Sequence, residues 1–315
     1  CCEESLKMKQ LYQDILEDVK HDHTSGASVV AKKVIRCIEA LAKEKSDVAV
    51  SALVAEIEHV AAEILKAQPN MAQLTNLFNN IFSTLDAETS GDSLVLARKV
   101  AGEAKRFDEN AKRAVMKVAD FGAELISSDD TVLSHSNSST ILSIIKKAHE
   151  SGKTFQVIIS ESRPACEGQE RARELSKMGI RTLYLIDAAI GMGVVRADVV
   201  LLGADSISET ALVNKIGSKA ICLLAREALV PCYAASESSK FTPQKLSPKK
   251  EPLRDPKEVW PNPPHETSVE NYYFDEVPLD LFTGIVTEEG VLTPSEMAGK
   301  IRGQVLHPRL LEMLK

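Results

Sequence analysis

A carboxylate, an amide and an ammonium group lie close together in one segment of the chain. An apolar run at Val199–Leu202 is followed closely by Asp205 and, after a short polar loop, by Asn214 and Lys215. A helix-like stretch and a second apolar run come next, which predicts the order strand, loop, helix, strand. Ligands of such units collect at the carboxyl ends of the strands. We therefore expect these residues to meet a small polar ligand there.

A second polar cluster follows an earlier apolar run. The segment Leu133–Ser139 reads Leu-Ser-His-Ser-Asn-Ser-Ser and leads into a helix-like pattern. Its hydroxyl groups, Ser136 among them, and the amides of a helix N-terminus could hold a phosphate or a sugar oxygen. Serine and asparagine are also common helix N-caps, so capping by Ser136 or Asn137 is the alternative interpretation.

The turn Glu161–Gly168, which reads Glu-Ser-Arg-Pro-Ala-Cys-Glu-Gly, carries a third set of polar residues. The Arg163 guanidinium could grip a phosphate through two hydrogen bonds, and Glu167 lies in the same turn. Cys166 is the thiol of this turn, although thiolate activation needs a positive environment and a buried or inert cysteine is more common. In the alternative interpretation Arg163 only pairs with Glu161 or Glu170. By the same interpretation Asp205 only caps the loop after it, and Lys215 is a solvated surface lysine.

Two kinds of pattern divide the chain into two domains. Up to about residue 126, apolar residues recur at helical spacing, which predicts amphipathic helices and a long linker helix. From Thr131 onward, short apolar runs alternate with helix-like segments, which predicts a parallel sheet flanked by helices. The predicted strands are Thr131–Ser134, Phe155–Ile159, Thr182–Ile186, Val199–Leu202 and Val230–Ala235, and the predicted helices are Ile141–His149, Glu170–Met178, Ala188–Val195 and Ile216–Leu229. The predicted fold class is α/β, with an all-helical domain at 1–126 and a Rossmann-like domain at 127–315 that carries the ligand site.

The charged, proline-rich segment Thr242–His265 is predicted to be a long surface loop. Trp260 and the aromatic run Tyr272–Phe274 lie near its end. An ordered edge that covers the site is therefore the alternative interpretation.

Composition narrows the class of function. The formal net charge is −7, which gives no basic footprint for direct nucleic-acid binding. The six cysteines have neither a CxxC pair nor metal-ligand spacing, and no apolar run approaches the roughly 20 residues that cross a bilayer, so we expect a reduced, cytoplasmic protein without a membrane partner. Neither GxGxxG nor a P-loop occurs, and we expect no cofactor and no metal.

Several ordered motifs give the chain a resemblance to a known superfamily. They are ESRPACEG in the turn described above, GADSI at Gly203–Ile207, NKIG at Asn214–Gly217, SKF at Ser239–Phe241 and GVLTPSE at Gly290–Glu296. From about Thr131 to its end, the sequence resembles the translation initiation factor 2B alpha, beta and delta subunits. That superfamily includes ribose-1,5-bisphosphate isomerase and methylthioribose-1-phosphate isomerase. The N-terminal part is similar only in its helical character.

The resemblance implies roles in catalysis for two positions. In the isomerases a cysteine and an aspartate are taken to move protons as an aldose 1-phosphate becomes a ketose 1-phosphate. The aspartate matches Asp205, whereas Ser136 stands at the cysteine position. A thiol with a pKa of about 8.5 exchanges protons near neutral pH, but a serine hydroxyl needs an activating base. His135 is a poor candidate for that base, because neighbours on a strand point to opposite faces.

The resemblance also implies a set of ligand-binding residues. The substrate-binding pair of the isomerases matches Asn214 and Lys215, and the arginine of their turn matches Arg163. Glu167 stands where they usually have glutamine, and Gly26 lies in a Ser-Gly-Ala version of their Arg-Gly-Ala element. A site that has lost basic groups and gained a carboxylate should bind a bisphosphate less well.

Two functions from different classes follow. The first, which the missing thiol favours, is a regulatory or assembly subunit of the initiation factor 2B type with a sugar-phosphate or nucleotide-phosphate pocket. The second is an aldose-1-phosphate to ketose-1-phosphate isomerase of the ribose-1,5-bisphosphate type. The resemblance also implies a homo-oligomer, either a dimer or a ring of dimers, and a guanine-nucleotide-binding initiation factor as a partner. Both functions require Arg163, Asp205 and Lys215 to converge on one crevice.

Overall fold

The computed structural model describes residues 11–22, 25–69, 71–243 and 253–314. The chain forms two compact units, one of Cys1–Arg113 with Gln304–Lys315 and the other of Ala114–Gly303. The first unit is helical, and the second is built around a mostly parallel sheet with helices between its strands. The predicted fold class is confirmed.

The helical unit contains the amphipathic helices that the apolar spacing predicts. Their buried residues recur at helical spacing: on the second helix Val30, Val34 and Leu41 are four and seven positions apart and so share one face. The helices that precede the sheet are α1 Leu11–His21, α2 Ala27–Glu44, α3 Val50–Ala67, α4 Ala72–Asp86 and α5 Ser93–Glu124. No helix in the described part of the chain has the length and apolar character of a membrane span.

The division into units differs from the predicted domain bounds of 1–126 and 127–315. The boundary between Arg113 and Ala114 falls inside α5, and the last residues belong to the helical unit. The physical reason is visible at His307, whose backbone N–H donates to Asn79 Oδ1 at 2.7 Å and whose ring contacts Asp86 at 2.9 Å. The chain therefore returns to α4 after it leaves the α/β unit.

The α/β unit contains the predicted alternation of strands and helices. Its strands and helices are, in chain order, β1 Thr131–Ser134, α6 Ser139–Glu150, β2 Gln156–Ser160, α7 Gly168–Lys177, β3 Arg181–Leu185, α8 Ile190–Val194, β4 Val199–Leu202, β5 Ser206–Ile207, β6 Ala211–Lys215, α9 Ser218–Glu227, β7 Cys232–Ala235, β8 Phe274–Pro278, β9 Gly284–Thr287, β10 Gly290–Leu292 and α10 Pro294–Arg302. A last helix, α11 at Pro308–Met313, belongs to the helical unit.

Seven strands form the main sheet in the order β10-β9-β7-β4-β1-β2-β3. All neighbouring pairs are parallel except β10 with β9. Because parallel strands end at the same edge, the residues that follow β1, β2, β4 and β7 lie side by side. This edge positions the candidate site.

The prediction of a polar loop between Asp205 and Asn214 was wrong. The segment is a hairpin, since β5 and β6 pair antiparallel, and β6 also pairs with β8 to give a second sheet in the order β5-β6-β8. The partner strand lies far along the chain, so local pattern could not reveal it. The register sets Asn214 opposite Asp275 and Lys215 opposite Phe274.

The inner strands of the main sheet, such as β1, β2 and β4, are buried on both faces, whereas β3 at its edge is largely exposed. Alternate residues of each strand belong to different clusters: Leu133 and Ile158 pack on one face, while Val132 and Val157 pack on the other. Near-continuous burial of this kind is typical of a parallel sheet covered by helices. It fixes the register of the strands and therefore the places where their carboxyl ends stop.

Candidate functional site

Three residues other than glycine have a left-handed backbone at the carboxyl edge of β1 and β2. Ser136, Ser162 and Cys166 have φ angles of 66°, 61° and 55°. Such angles are uncommon for residues with a side chain, and they cluster at functional sites because the surrounding structure must hold them. The strain therefore marks the loop after β1 and the turn after β2 as a candidate site.

Hydrogen bonds to neighbouring loops hold the unusual backbone of Ser136. Its N–H donates to Ser162 Oγ at 2.8 Å, and its own hydroxyl donates to Glu167 Oε2 at 3.3 Å. Helix α6 is capped by Ser138, whose Oγ accepts from the N–H of Ile141 at 3.4 Å. Capping by Ser136 or Asn137 was therefore the wrong interpretation, and the Ser136 hydroxyl is directed at the second loop.

Glu167 links the hydroxyl of Ser136 to the ammonium of Lys215. The same carboxylate oxygen that accepts from Ser136 lies 3.0 Å from Lys215 Nζ. Glu167 immediately precedes α7, where the helix dipole favours a negative charge. A Cβ atom on the next residue, Gly168, would lie 1.8 Å from Ser160 O, so only glycine lets the turn pack this closely on β2.

Lys215 ends β6 and is almost fully buried. Its side chain is only 4% exposed, and its ammonium lies 5.1 Å from the centre of the Tyr273 ring. A buried ammonium needs compensation, which Glu167 supplies as an ion pair and Tyr273 through the negative face of its ring. Ser136, Glu167 and Lys215 therefore form one connected polar cluster.

His135 makes hydrogen-bond contacts with residues that flank this cluster. Its Nδ1 contacts the hydroxyls of Ser160 and Ser162, and its Nε2 contacts Ile216 O at 2.8 Å. Because Ser162 Oγ also accepts from the N–H of Ser136, the imidazole helps to orient the loop after β1. Burial lowers the pKa of His135, so the ring is neutral near pH 7.

Arg163 lies in the turn after β2, but its guanidinium does not join the cluster. Asp187 holds the backbone of this turn, because its carboxylate accepts from the N–H groups of Ser162 and Arg163 at 2.8 and 2.7 Å. The side chain of Arg163 is exposed and donates from Nη2 to Val259 O at 3.2 Å. A crevice shared by residues 163, 205 and 215 stays a prediction.

Asp205 and Asn214 lie on the two arms of the hairpin that ends at Lys215. Asp205 follows β4, is half-buried, and donates its N–H to Val213 O at 2.9 Å, which closes the β5–β6 hairpin. Asn214 is buried and donates to Ser218 Oγ at 2.8 Å. Gly203 directly follows β4, and a Cβ atom added to it would lie 2.5 Å from Ser138 Oγ and 3.7 Å from Asn214 Oδ1. The end of β4 is therefore close both to Asn214 and to the start of α6.

Two other predicted residues have different surroundings. Gly26 belongs to the helical unit, where it is the last residue before α2. The thiol of Cys166 donates to Pro164 O at 3.7 Å, within its own turn. The role of Gly26 in ligand binding stays a prediction.

The segment Leu253–Tyr273, which we name the strap, contacts the site residues. It contains Val259, which accepts from Arg163, and Tyr273, which lies against Lys215. Within the strap, the Glu258 carboxylate accepts a hydrogen bond from Tyr273 Oη at 2.6 Å, which holds the last residue of the strap in place. The strap therefore agrees with an ordered edge at the site, while residues 244–252 of the predicted surface loop lie outside the described residues.

Sequence reasoning missed a second pair of charged residues, at the end of β7. Glu237 is fully buried and its Oε1 lies 3.6 Å from Nζ of Lys240, whose side chain is 5% exposed. Both belong to the segment Ser236–Phe241, of which only the Ser-Lys-Phe motif was noticed. The available signal was an acid followed three residues later by a base directly after an apolar run. The burial of the two residues could not be predicted, because the segment is polar.

Fold and site together define a class of protein: a helical unit, then a Rossmann-like unit with a buried acid–base cluster at the carboxyl edge of its sheet. A family model described as the Initiation factor 2 subunit family matches residues 23–294. The chain belongs to this family, as its motifs predict.

Relatives within the family carry two kinds of name. Ribose 1,5-bisphosphate isomerase of Archaeoglobus fulgidus is 34% identical over 288 residues, which cover 90% of this chain and 89% of that protein. A Pyrococcus furiosus protein named as translation initiation factor eIF-2B subunit 2-like is 33% identical, over 89% of this chain and 95% of that protein. The crystal structure of Pyrococcus horikoshii OT3 translation initiation factor eIF-2B superposes with a TM-score of 0.78 at 31% identity, covering 90% of this chain and 98% of that one. Family membership alone therefore does not choose between the two functions.

Proposed function

We propose that the protein is a regulatory or assembly subunit of the initiation factor 2B alpha, beta and delta type. In this proposal its sheet edge binds a phosphorylated small molecule without converting it. The observation that carries the proposal is the cluster of Ser136, Glu167 and Lys215, in which a hydroxyl occupies the position of the isomerases' thiol and the chain's own carboxylate neutralises the ammonium.

The chemistry of the cluster argues against proton transfer at Ser136. A serine hydroxyl needs an activating base, whereas a thiol with a pKa of about 8.5 does not. Both ring nitrogens of His135 contact other groups, namely the hydroxyls of Ser160 and Ser162 and the carbonyl of Ile216. The imidazole thus supports the loop instead of activating the hydroxyl.

One contact favours the second candidate function, an aldose-1-phosphate to ketose-1-phosphate isomerase. Glu167 Oε2 lies 3.3 Å from Ser136 Oγ, so this carboxylate is placed to accept the proton of the hydroxyl. The isomerase names of several relatives agree with this candidate. In this mechanism Asp205 would supply the second proton-transfer group.

A turnover assay separates the two functions. The purified chain is incubated with ribose 1,5-bisphosphate and with other aldose 1-phosphates, and ketose formation is followed over time. The proposal expects binding, seen as a rise in melting temperature, but no ketose. Ketose formation that Asp205→Asn abolishes would establish the isomerase instead, with the Archaeoglobus fulgidus enzyme as positive control.

The proposal also includes assembly with other chains. We expect the chain to form a homo-oligomer and to bind a guanine-nucleotide-binding initiation factor as its partner. Light scattering of the purified chain gives the mass of the assembly, and the same measurement with an added initiation factor detects a complex. A monomeric mass in both experiments would contradict this part of the proposal.

A further inference from the structure

The ion pair between Glu167 and Lys215 bears on which ligand the site accepts. The Lys215 side chain is only 4% exposed, and its charge is compensated from within the chain by the Glu167 carboxylate at 3.0 Å and the Tyr273 ring at 5.1 Å. A lysine that binds phosphate needs a charge that the phosphate can neutralise. The charge of Lys215 is already neutralised by the Glu167 carboxylate.

The Glu167 carboxylate has little freedom to move away. Its Oε2 also accepts from Ser136 Oγ at 3.3 Å, and it stands at the dipole-stabilised start of α7. Directly after it, Gly168 packs so closely on β2 that a Cβ atom would lie 1.8 Å from Ser160 O. The backbone that carries Glu167 is therefore anchored against the sheet.

These positions discriminate between two kinds of ligand group. A phosphate beside Lys215 would also lie within a few ångströms of the Glu167 carboxylate, and like charges at that distance repel strongly in a partly buried site. A hydroxyl group meets no such repulsion, because it can accept from Lys215 and donate to Glu167 at the same time. The pair thus fits a neutral, hydroxylated part of a ligand.

We propose that Glu167 makes the site select ligands that present a hydroxyl, and not a phosphate, to Lys215. Sugar monophosphates then bind in preference to sugar bisphosphates. This inference rests on the proposed function, since it assumes that the sheet edge binds a phosphorylated small molecule, and it names the class of that molecule.

The test compares two ligands and three proteins by isothermal titration calorimetry. Ribose 5-phosphate and ribose 1,5-bisphosphate are titrated into the full chain, into Glu167→Gln and into the matched control Glu170→Gln. Glu170 is exposed and pairs with Arg173 at 3.1 Å, so the control removes one carboxylate of the same turn region without touching Lys215. Glutamine keeps the shape of Glu167 and a group that can accept from Ser136, but it carries no charge.

We expect the full chain to bind the monophosphate more tightly than the bisphosphate. Glu167→Gln should lower the Kd of the bisphosphate by about tenfold or more and change that of the monophosphate by less than about threefold. The control should leave both constants unchanged.

A full chain that prefers the bisphosphate overturns the inference without any variant, and so does a ratio of constants that Glu167→Gln leaves unchanged; in both cases the proposed function survives. Bisphosphate binding that appears only in Glu167→Gln supports the selectivity but contradicts ligand sensing by the natural chain. Binding of neither ligand to any of the three proteins overturns both proposals.

Discussion

Two lysine–glutamate pairs lie at the same edge of the sheet, and they differ in their access to water. In the pair after β7, the Glu237 carboxylate is fully buried and lies 3.6 Å from Lys240 Nζ, with Thr140 and Ser239 donating hydroxyl hydrogen bonds to it. In the pair between α7 and β6, the Glu167 side chain is 25% exposed and lies 3.0 Å from Lys215 Nζ. The sealed carboxylate is held by protein groups on several sides, whereas the exposed one can exchange contacts with a ligand.

This difference separates stability from binding. Both lysines are buried, so the two pairs differ in the exposure of their carboxylates. Removing either carboxylate leaves a buried ammonium without its ion pair, which is costly, but only the Glu167 carboxylate is open to solvent. Glu237 should therefore matter for folding alone, whereas Glu167 should matter for recognition as well. Four predictions test or refine this contrast.

The largest expected effect is that of Glu237→Ala, which should lower the free energy of unfolding by about 3–5 kcal/mol. The reason is that Lys240 would keep a buried charge without its carboxylate. Urea denaturation followed by circular dichroism measures the change. Glu289→Ala is the matched control, because Glu289 is 57% exposed and pairs with Lys300 at the surface; a loss no larger than that of the control would refute the sealed-pair interpretation.

Gly168→Ala should cost about 1–3 kcal/mol of stability and should also weaken ligand binding. An added Cβ would overlap Ser160 O, so the turn must shift and carry Glu167 away from Lys215. Thermal unfolding and calorimetric titration with ribose 5-phosphate measure the two effects. Gly299→Ala, inside α10 with no atom within 4 Å of the added Cβ, should leave ligand binding intact and raise stability by about 0.5–1 kcal/mol, because alanine favours a helix more than glycine does. A Gly168→Ala variant that unfolds and binds like the unchanged chain would show that the close packing at Gly168 is unimportant.

His135 should make the fold less stable in mild acid. Burial lowers the pKa of the folded-state imidazole, so below the ordinary pKa of about 6.5 the unfolded chain takes up a proton that the folded chain does not. Stability from this group is complete above pH 6.5 and falls as the pH drops, by at most about 1.4 kcal/mol per pH unit. Unfolding free energies between pH 7.5 and 5.5 should decline less steeply for His135→Asn than for the unchanged chain.

His21 offers a control for the same experiment, because its ring is 77% exposed. The pH dependence of His21→Asn should follow that of the unchanged chain. If His135→Asn follows it as well, the buried imidazole does not titrate on unfolding in the way described.

Tyr273→Phe has the smallest expected effect and should lower the free energy of unfolding by about 1 kcal/mol. This change removes the hydrogen bond from Tyr273 Oη to Glu258 at 2.6 Å but keeps the ring beside Lys215. Tyr272→Phe is the matched control, since its hydroxyl contacts Glu270 at the exposed surface. Trp260 fluorescence should shift only in the first variant, and a shift in both or in neither would show that Glu258 does not anchor the strap.

Runs of consecutive apolar residues predicted the inner strands of the main sheet well. The apolar runs at Thr131–Ser134 and Val199–Leu202 coincide with β1 and β4, because buried parallel strands are short and continuously apolar. The run at Val230–Ala235 forms a strand only from Cys232, since the left-handed backbone of Leu229 and a hydrogen bond from Val230 N to Ala225 O end the preceding helix. The second sheet escaped prediction because β8, the strand that pairs with β6, is distant in sequence.

The candidate site was predicted in part. Ser136, Glu167 and Lys215 were selected from their motifs and do lie in contact, but the motifs gave no sign that Glu167 joins the other two. That link depends on a left-handed backbone at Ser136 and on the close packing of Gly168, which only the folded loops reveal. Tyr273 could not be assigned to Lys215 either, since the β6–β8 register brings them together.

The second sheet has a consequence for how this protein can vary. Phe241 bridges to Ile207 on β5, and Phe274 is paired with Lys215 on β6, so the chain between positions 241 and 274 starts and finishes on the same hairpin. Such a closed excursion can grow or shrink without altering the register that positions the ammonium. Within this excursion the strap contacts Arg163 and Lys215, so a peptide grafted into the strap would disturb those contacts while the register at both ends stays in place.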